Sequence, residues 1–334
     1  MKPINPIIIA EVGVNHNGNL KLLNKLIDSV SKTGVNFIKF QAFITDKLVI
    51  KNSPKANYQK KIKLSQYEML KKYELKSKHY DLIIKRCKKK NIKPLFSIFD
   101  TESLNILKKY KIKYIKIPSG EITNEPLLSK IGKMKLKVFL STGMSTIDEI
   151  KRALSTLKNN GTPKKSITIL HCHSEYPSDL KDLNLNNILT LKKIFKCKIG
   201  FSDHSIGKLA SIVASSLGAD VIEKHVTLNN NLYGPDHSSS LPVKELKNFV
   251  NNLRFTKIIL GKRKLKRSKA ENDNKKIVRK SLVAKKIIKK GEIFLSSNLT
   301  CKRPGTGISP YLLKKIIGTK SKFNFDVDKL IKLK

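Results

Sequence analysis

Short aliphatic runs alternate along the chain with longer stretches in which apolar residues recur every three or four positions. The runs occupy residues 7–12, 36–41, 93–96, 114–117, 138–140, 167–170, 198–201 and 221–222. Each shows little polar alternation, which predicts strands buried on both faces. Between them, Leu22, Leu23, Leu26, Ile27 and Val30 recur before Gly34, and Ile147, Ile150, Ala153, Leu154 and Leu157 before Gly161. That spacing predicts amphipathic helices. Eight strand-then-helix units predict an α/β fold, a (β/α)8 barrel, with a doubly wound open sheet as the alternative.

A barrel of this kind carries its chemistry at the C-terminal ends of its strands. Followed to its end, each run supplies a polar group. These are Glu11; Lys39 and Gln41; Ser97; Lys116 with Ser119 and Glu121; Ser141 and Thr142; His171; Ser202, Asp203 and His204; and Glu223 with His225. Such side chains are costly inside a barrel unless paired or functional, so eight of them in register predict an active-site mouth. His204 and His225 end neighbouring strands and suit a divalent metal such as Mn²⁺, with water or substrate oxygens in the other positions. His171 and His173 are a competing pair, and spacing alone leaves that choice open.

Two segments fall outside the alternation. Residues 45–65 form a long polar stretch after the second strand, which predicts a lid or substrate loop. Residues 261–277 open with five basic residues in seven (Lys262, Arg263, Lys264, Lys266, Arg267) and lack apolar periodicity, so they read as a basic linker. The expected division is a barrel over 1–260, that linker, and a small module over 278–334. A module this small is marginal alone and is expected to lean on the barrel or a partner subunit.

Composition changes this picture little. The chain has 69 Lys and Arg against 25 Asp and Glu, a net charge of +44. A nucleic-acid surface concentrates such charge and interleaves aromatics, whereas here lysine is spread along the chain, aromatics are 7% and tryptophan is absent. The excess reads as solvated background rather than a nucleic-acid partner. Cys87, Cys172, Cys197 and Cys301 form no CxxC pair. No run reaches the roughly 20 residues of a membrane span, and Glu11 interrupts the only apolar stretch near the N-terminus. A cytoplasmic protein with no membrane association is expected.

The strand-end motifs resemble the sialic acid synthase family. They are Ile9-Ala10-Glu11-Val12-Gly13-Val14-Asn15-His16-Asn17-Gly18, Ile38-Lys39-Phe40-Gln41, Tyr114-Ile115-Lys116-Ile117-Pro118-Ser119-Gly120-Glu121, Leu140-Ser141-Thr142-Gly143-Met144, Gly200-Phe201-Ser202-Asp203-His204-Ser205, Ile222-Glu223-Lys224-His225 and Gly234-Pro235-Asp236-His237. The tail, with Arg279-Lys280-Ser281 and Lys302-Arg303-Pro304-Gly305-Thr306-Gly307, resembles that family's antifreeze-like (SAF) domain. The resemblance runs the whole length of the chain with the motifs in order.

It implies condensation of phosphoenolpyruvate with an N-acetylated mannosamine-type sugar, releasing phosphate and forming a nonulosonic acid. N-acetylneuraminate synthesis is the first expectation. N,N'-diacetyllegionaminate synthesis from 2,4-diacetamido-2,4,6-trideoxymannose is the alternative, and a polyanion binder a remote one. By resemblance, Lys39, Ser97, Lys116, Ser119, Ser141 and Ser202 hold phosphoenolpyruvate, and Gln41, Glu121, Tyr176, Asp236 and Arg303 face the sugar. Glu11 stands beside the reacting centre. His204 and His225 match the metal ligands, which settles the histidine contest by resemblance and implies Mn²⁺, with Mg²⁺ or Co²⁺ as alternatives. Arg303 matches a tail-domain arginine that reaches the partner subunit's sugar amide, implying a domain-swapped homodimer. Two departures concern the sugar side: Ile98 stands where the family often has proline, and Ser174 occupies a position that varies with the sugar.

Overall fold

Period-two alternation along eight short parallel strands sends one set of side chains into a barrel lumen and the other toward a ring of helices. The computed structural model describes residues 5–56, 59–60, 62–262 and 264–334. Asn57, Tyr58 and Lys61 of the expected substrate loop and Arg263 of the basic stretch lie outside the described residues. So do residues 1–4.

The chain divides into two units, Met1–Gly261 and Lys262–Lys334. In the first, β1 (Ile7–Gly13), β2 (Phe37–Ala42), β3 (Lys93–Ile98), β4 (Tyr114–Ile117), β5 (Lys137–Ser141), β6 (Ile167–Cys172), β7 (Lys198–Asp203) and β8 (Val221–Thr227) pair in sequence order. β1 also pairs with β8, with Ile7 opposite Val221 and Glu11 opposite His225. That closure excludes the open sheet. Between the strands run α1 (Leu20–Val30), α2 (Thr45–Leu48), α3 (Gln66–Tyr73), α4 (Ser77–Lys89), α5 (Thr101–Lys108), α6 (Glu125–Lys133), α7 (Ile147–Asn159), α8 (Asn187–Phe195) and α9 (Leu209–Ser216). The short β9 (Leu241–Pro242) and α10 (Val243–Leu260) complete the unit. No helix among the described residues is long and apolar enough to cross a membrane.

The lower lumen is filled by Ile9, Phe37, Leu95, Phe139, Leu170 and Val221. Gly200 belongs to this crowded layer: a Cβ there would fall 2.6 Å from Leu170 Cδ2 and from the Val221 carbonyl oxygen. One inward position further along β1, β2, β3, β5 and β8 come Glu11, Lys39, Ser97, Ser141 and Glu223, all buried. The apolar plug below and the helix ring outside deny these groups water from every side but the mouth.

Strand eight runs to Thr227, two residues past the expected end at His225, although its apolar run stops at Ile222. Its charged Glu223-Lys224 step hides the strand, because Glu223 faces the lumen while Lys224 is buried against Asp203 outside it. The stretch 45–65 likewise contains the single-turn α2, and Lys55 Nζ donates to the carbonyls of Ile62 and Leu64 further along it.

In the second unit, β10 (Ser281–Ala284) and β11 (Leu299–Lys302) pair antiparallel over a core of Leu282, Ala284, Ile288, Phe294, Leu299, Ile316, Phe325 and Ile331. The stretch read as a linker is not all irregular, since α11 (Lys269–Val278) lies within it. Ser268 and Glu271 form a reciprocal capping box at its start. Its side chains are almost all exposed, so apolar periodicity had no stripe to report. Gly305 N donates to the Lys276 carbonyl at 2.7 Å, tying α11 into this unit.

Candidate active site

Twelve side chains to which the sequence assigned a role converge on one cavity of about 440 Å³ at the C-terminal mouth of the barrel: Glu11, Lys39, Gln41, Ser97, Lys116, Ser119, Glu121, Ser141, Tyr176, Ser202, His204 and His225. Asp236 is buried beside them, its Oδ2 3.8 Å from His225 Nδ1. Arg303 lies in the second unit and is exposed.

Strand register explains the convergence. Glu11 is opposite both Lys39 and His225, Gln41 is opposite Ser97, Ser97 is opposite Lys116, and Ser202 is opposite Glu223. At the floor, Glu223 Oε1 accepts from three donors: Lys39 Nζ at 2.8 Å, Lys116 Nζ at 3.2 Å and Ser202 Oγ at 2.8 Å. Lys39 Nζ also lies 3.3 Å from Glu11 Oε2.

These contacts divide the carboxylates. Burial raises the Glu11 carboxyl to about 7, against the pull of Lys39. Burial opposes ionisation of Glu223 too, but Lys116 and Lys39 together hold its carboxyl well below the usual range. Two ammoniums therefore face one firmly ionised carboxylate and a second that is protonated about as often as not near neutral pH. The floor is cationic whenever Glu11 holds its proton. Hydroxyls of Ser97, Ser119, Ser141 and Ser202 surround it, and Ser141 Oγ is buried without a hydrogen-bond partner. Such a floor suits a small, multiply charged anion.

Above it stand the two imidazoles, ring centroids 5.7 Å apart. Burial lowers His204 to about 4 and drives His225 well below its ordinary value, so both are neutral. His204 Nδ1 lies 2.6 Å from the His173 carbonyl oxygen, which only accepts, so Nδ1 carries the hydrogen and Nε2 its lone pair. That lone pair faces Tyr176 Oη at 3.0 Å, and the Tyr176 ring stacks on the imidazole at 4.0 Å. His225 Nδ1 is buried with no hydrogen-bond partner. Two neutral imidazoles, one with an unpartnered nitrogen, fit a divalent cation that completes its shell with oxygens. Among the described residues no group of three or more His, Cys, Asp or Glu forms a protein-only cage. His171 does not join them; its Nε2 lies 2.7 Å from the Leu183 carbonyl oxygen.

Glu223 was visible in the sequence only as a polar strand end, without a role. Its signal was positional, two residues before His225 on the same inward face. The outer wall was read from sequence only in part: the expected substrate loop over 45–65 supplies Leu48, Val49, Ala56 and Gln59, whereas Phe43, Leu70 and Phe99, which pack with Leu48 and Val49, and Gln66 were not singled out. They come from the ends of strands two and three, from α2 and from α3, and no motif joins them.

The chain is 46% identical over 329 residues to the N,N'-diacetyllegionaminic acid synthase of Campylobacter jejuni, covering 98% of each chain. It is 38% identical to the protein of the same name from Legionella pneumophila, covering 95% of this chain and 90% of that one. A crystal structure of N-acetylneuraminic acid (sialic acid) synthetase from Leptospira borgpetersenii superposes with a TM-score of 0.70 at 35% identity, covering 81% of this chain and 90% of that one. A SAF domain matches residues 279–325, and the NeuB family model matches residues 26–265. With that match over most of the barrel, the chain belongs to the NeuB family of sialic-acid-type synthases and carries a C-terminal SAF domain.

Proposed function

We propose that this protein condenses phosphoenolpyruvate with 2,4-diacetamido-2,4,6-trideoxymannose, forming N,N'-diacetyllegionaminate and releasing phosphate. The observation that carries the choice of sugar is end-to-end similarity to two proteins named for that product. This reverses the order expected from sequence, in which N-acetylmannosamine came first. The apolar wall of Phe43, Leu48, Val49, Leu70 and Phe99 supports the same choice. A 6-deoxy sugar presents a methyl group where N-acetylmannosamine presents a hydroxyl, and burying one such carbon contributes about 0.8 kcal/mol.

Lys39 and Lys116 bind the phosphoenolpyruvate anion, and Ser97, Ser119, Ser141 and Ser202 orient its oxygens without adding charge. An ammonium 4 Å from an anionic oxygen is worth about 4 kcal/mol in a partly screened mouth, against about 1 kcal/mol in water. Gln41, Glu121, Tyr176 and Asp236 hold the open-chain sugar with its aldehyde toward carbon 3 of phosphoenolpyruvate. Carbon 3 attacks the aldehyde, forming the new C–C bond while the aldehyde oxygen takes up a proton to become a hydroxyl, and leaving cationic character at carbon 2. Water adds there, and the tetrahedral product breaks its C–O bond to phosphate, the carbon-2 hydroxyl becoming the ketone as its proton passes to the departing phosphate. Glu11, with its carboxyl raised to about 7, takes the proton from that water. His204 and His225 would hold a divalent cation, Mn²⁺ in the first place, whose contribution is Lewis-acid polarisation of the aldehyde. For Arg303 we propose contact with a sugar amide in a domain-swapped homodimer working in the cytoplasm.

The test is phosphate release from phosphoenolpyruvate with Mn²⁺ and three sugars: N-acetylmannosamine, its 6-phosphate and the diacetamido-trideoxy analogue. The reading expects the last to give the highest kcat/KM and EDTA to abolish turnover. A higher kcat/KM with N-acetylmannosamine overturns the sugar assignment; no release with any sugar overturns the reaction.

A further inference from the structure

Outside the lumen, on the opposite face of β7 and β8, lies a charged pair that the reaction does not use. Lys224 Nζ is 3.1 Å from Asp203 Oδ2, and the two side chains are 1% and 0% exposed. The residues are directly opposite each other in the strand register. Both are enclosed in the apolar layer between strands and helices, where Phe201 and Ile222 are also fully buried.

Every remaining polar atom of this pair is spent on the chain that follows His204. Asp203 Oδ1 accepts from Ser205 N at 2.9 Å and from Ser205 Oγ at 2.7 Å. Asp203 Oδ2 also accepts from Ser211 Oγ on α9. Lys224 Nζ donates to the Ser205 carbonyl. All three polar groups of Ser205 are thereby clamped. On its other side, His204 is held by its carbonyl accepting from Ser178 N at 3.1 Å and by its ring Nδ1 on the His173 carbonyl.

A buried ion pair is a poor way to gain stability, because desolvation of two charges offsets most of their attraction and an apolar pair of similar volume does as well or better. What such a pair supplies is direction. Alternation alone points residue 204 inward, but the strand ends at Asp203 and the chain turns away within a few residues. An unclamped strand end lets the imidazole swing. Fixed partners that hold a ligand in one tautomer and orientation typically change metal affinity by about 10–100-fold.

We propose that Lys224 and Asp203 are positioning residues: acting through Ser205 from outside the active site, they hold the His204 imidazole in the orientation that serves a divalent cation. The inference rests on the proposed reaction for the use of that orientation, and on the clamp geometry alone for its existence.

The test compares the parent protein with the charge-neutral double variant Asp203→Asn/Lys224→Met and with the milder Ser205→Ala, each checked for folding by circular dichroism. Mn²⁺ affinity is read by titration calorimetry, and the His204 tautomer by long-range ¹H–¹⁵N NMR of the imidazole. The parent is expected to show one Nδ1–H tautomer. The double variant should lose it and bind Mn²⁺ about 10–100-fold more weakly, with phosphoenolpyruvate affinity within about threefold. Ser205→Ala should shift both readouts in the same direction by less, and it decides the matter if the double variant does not fold. A folded variant that keeps the parental tautomer and Mn²⁺ affinity while losing only thermal stability overturns the proposal. If the parent itself neither binds Mn²⁺ nor releases phosphate, the proposed reaction fails, and the tautomer readout still decides whether the clamp exists.

Discussion

Lys39→Met tests the electrostatic account most directly, because Lys39 touches both carboxylates of the floor. Its ammonium lies 2.8 Å from Glu223 and 3.3 Å from Glu11. Removing one partner of a buried pair typically costs about 3–5 kcal/mol. The lower end applies here, since Lys116, 3.2 Å from Glu223, still neutralises that carboxylate. A loss of about 3 kcal/mol in a domain of this size lowers Tm by about 6–12 °C. Substrate capture suffers separately. One charge-assisted contact is worth about 1.5–3 kcal/mol, so KM for phosphoenolpyruvate should rise about 10- to 150-fold. The pH profile supplies a third readout. Lys39 pulls the Glu11 carboxyl down, so its removal pushes that carboxyl further above its present value near 7. If Glu11 must be ionised to take a proton, the acid limb of kcat moves to higher pH. Differential scanning fluorimetry and phosphate release over pH 5–9 read all three. A variant with unchanged Tm, KM within about threefold of the parent and an unmoved acid limb refutes the reasoning, because Lys39 is the lysine whose ammonium lies within 4 Å of both carboxylates among the described residues.

Glu11→Gln should lower kcat by about 10²–10⁴-fold with little effect on phosphoenolpyruvate KM. It also carries a stability signature. The folded protein holds the Glu11 proton up to about pH 7, whereas the unfolded chain releases it near 4.5, so the parent loses stability as pH rises through that window. Urea midpoints at pH 4.5 and 7.5 should show a smaller decline in Glu11→Gln than in the parent. Gly200→Ala places a methyl group 2.6 Å from Leu170 Cδ2 and the Val221 carbonyl; overpacking should cost about 1–3 kcal/mol, read as a lower Tm. Leu48→Asn puts an amide into the apolar wall. It should reduce kcat/KM for the 6-deoxy sugar relative to N-acetylmannosamine by about 4-fold, the equivalent of about 0.8 kcal/mol for one buried carbon, and leave phosphoenolpyruvate KM unchanged.

How much of the site was legible depended on how local its cause was. Glu11, Lys39, Ser97, Lys116, Ser141, Ser202 and His225 could be placed together because period-two alternation and strand ends are short-range properties, and a barrel converts them into a shared mouth. Glu223 obeyed the same alternation, yet its importance lies in two lysines from strands β2 and β4, a meeting that only closure produces. The apolar wall has no sequence pattern because its residues come from separate elements. The helix Lys269–Val278 was missed for the opposite reason: an exposed helix has no apolar stripe, and its evidence was the cap formed by Ser268 and Glu271.

The +44 charge shows the same division between chain and fold. Of the many lysines, Lys39 and Lys116 are the ones that line the cavity among the described residues, and alternation identified both. Their special behaviour comes from a carboxylate over a hundred residues away and from a plug of Ile9, Phe37, Leu95 and Phe139 that excludes water. Sequence by itself determined which groups stand at the strand ends, since that follows from the residue order and a two-residue repeat. Tertiary structure decided which of them are charged, which are paired and which way they point. Those properties depend on distance and dielectric, and both arise only when the eighth strand closes on the first.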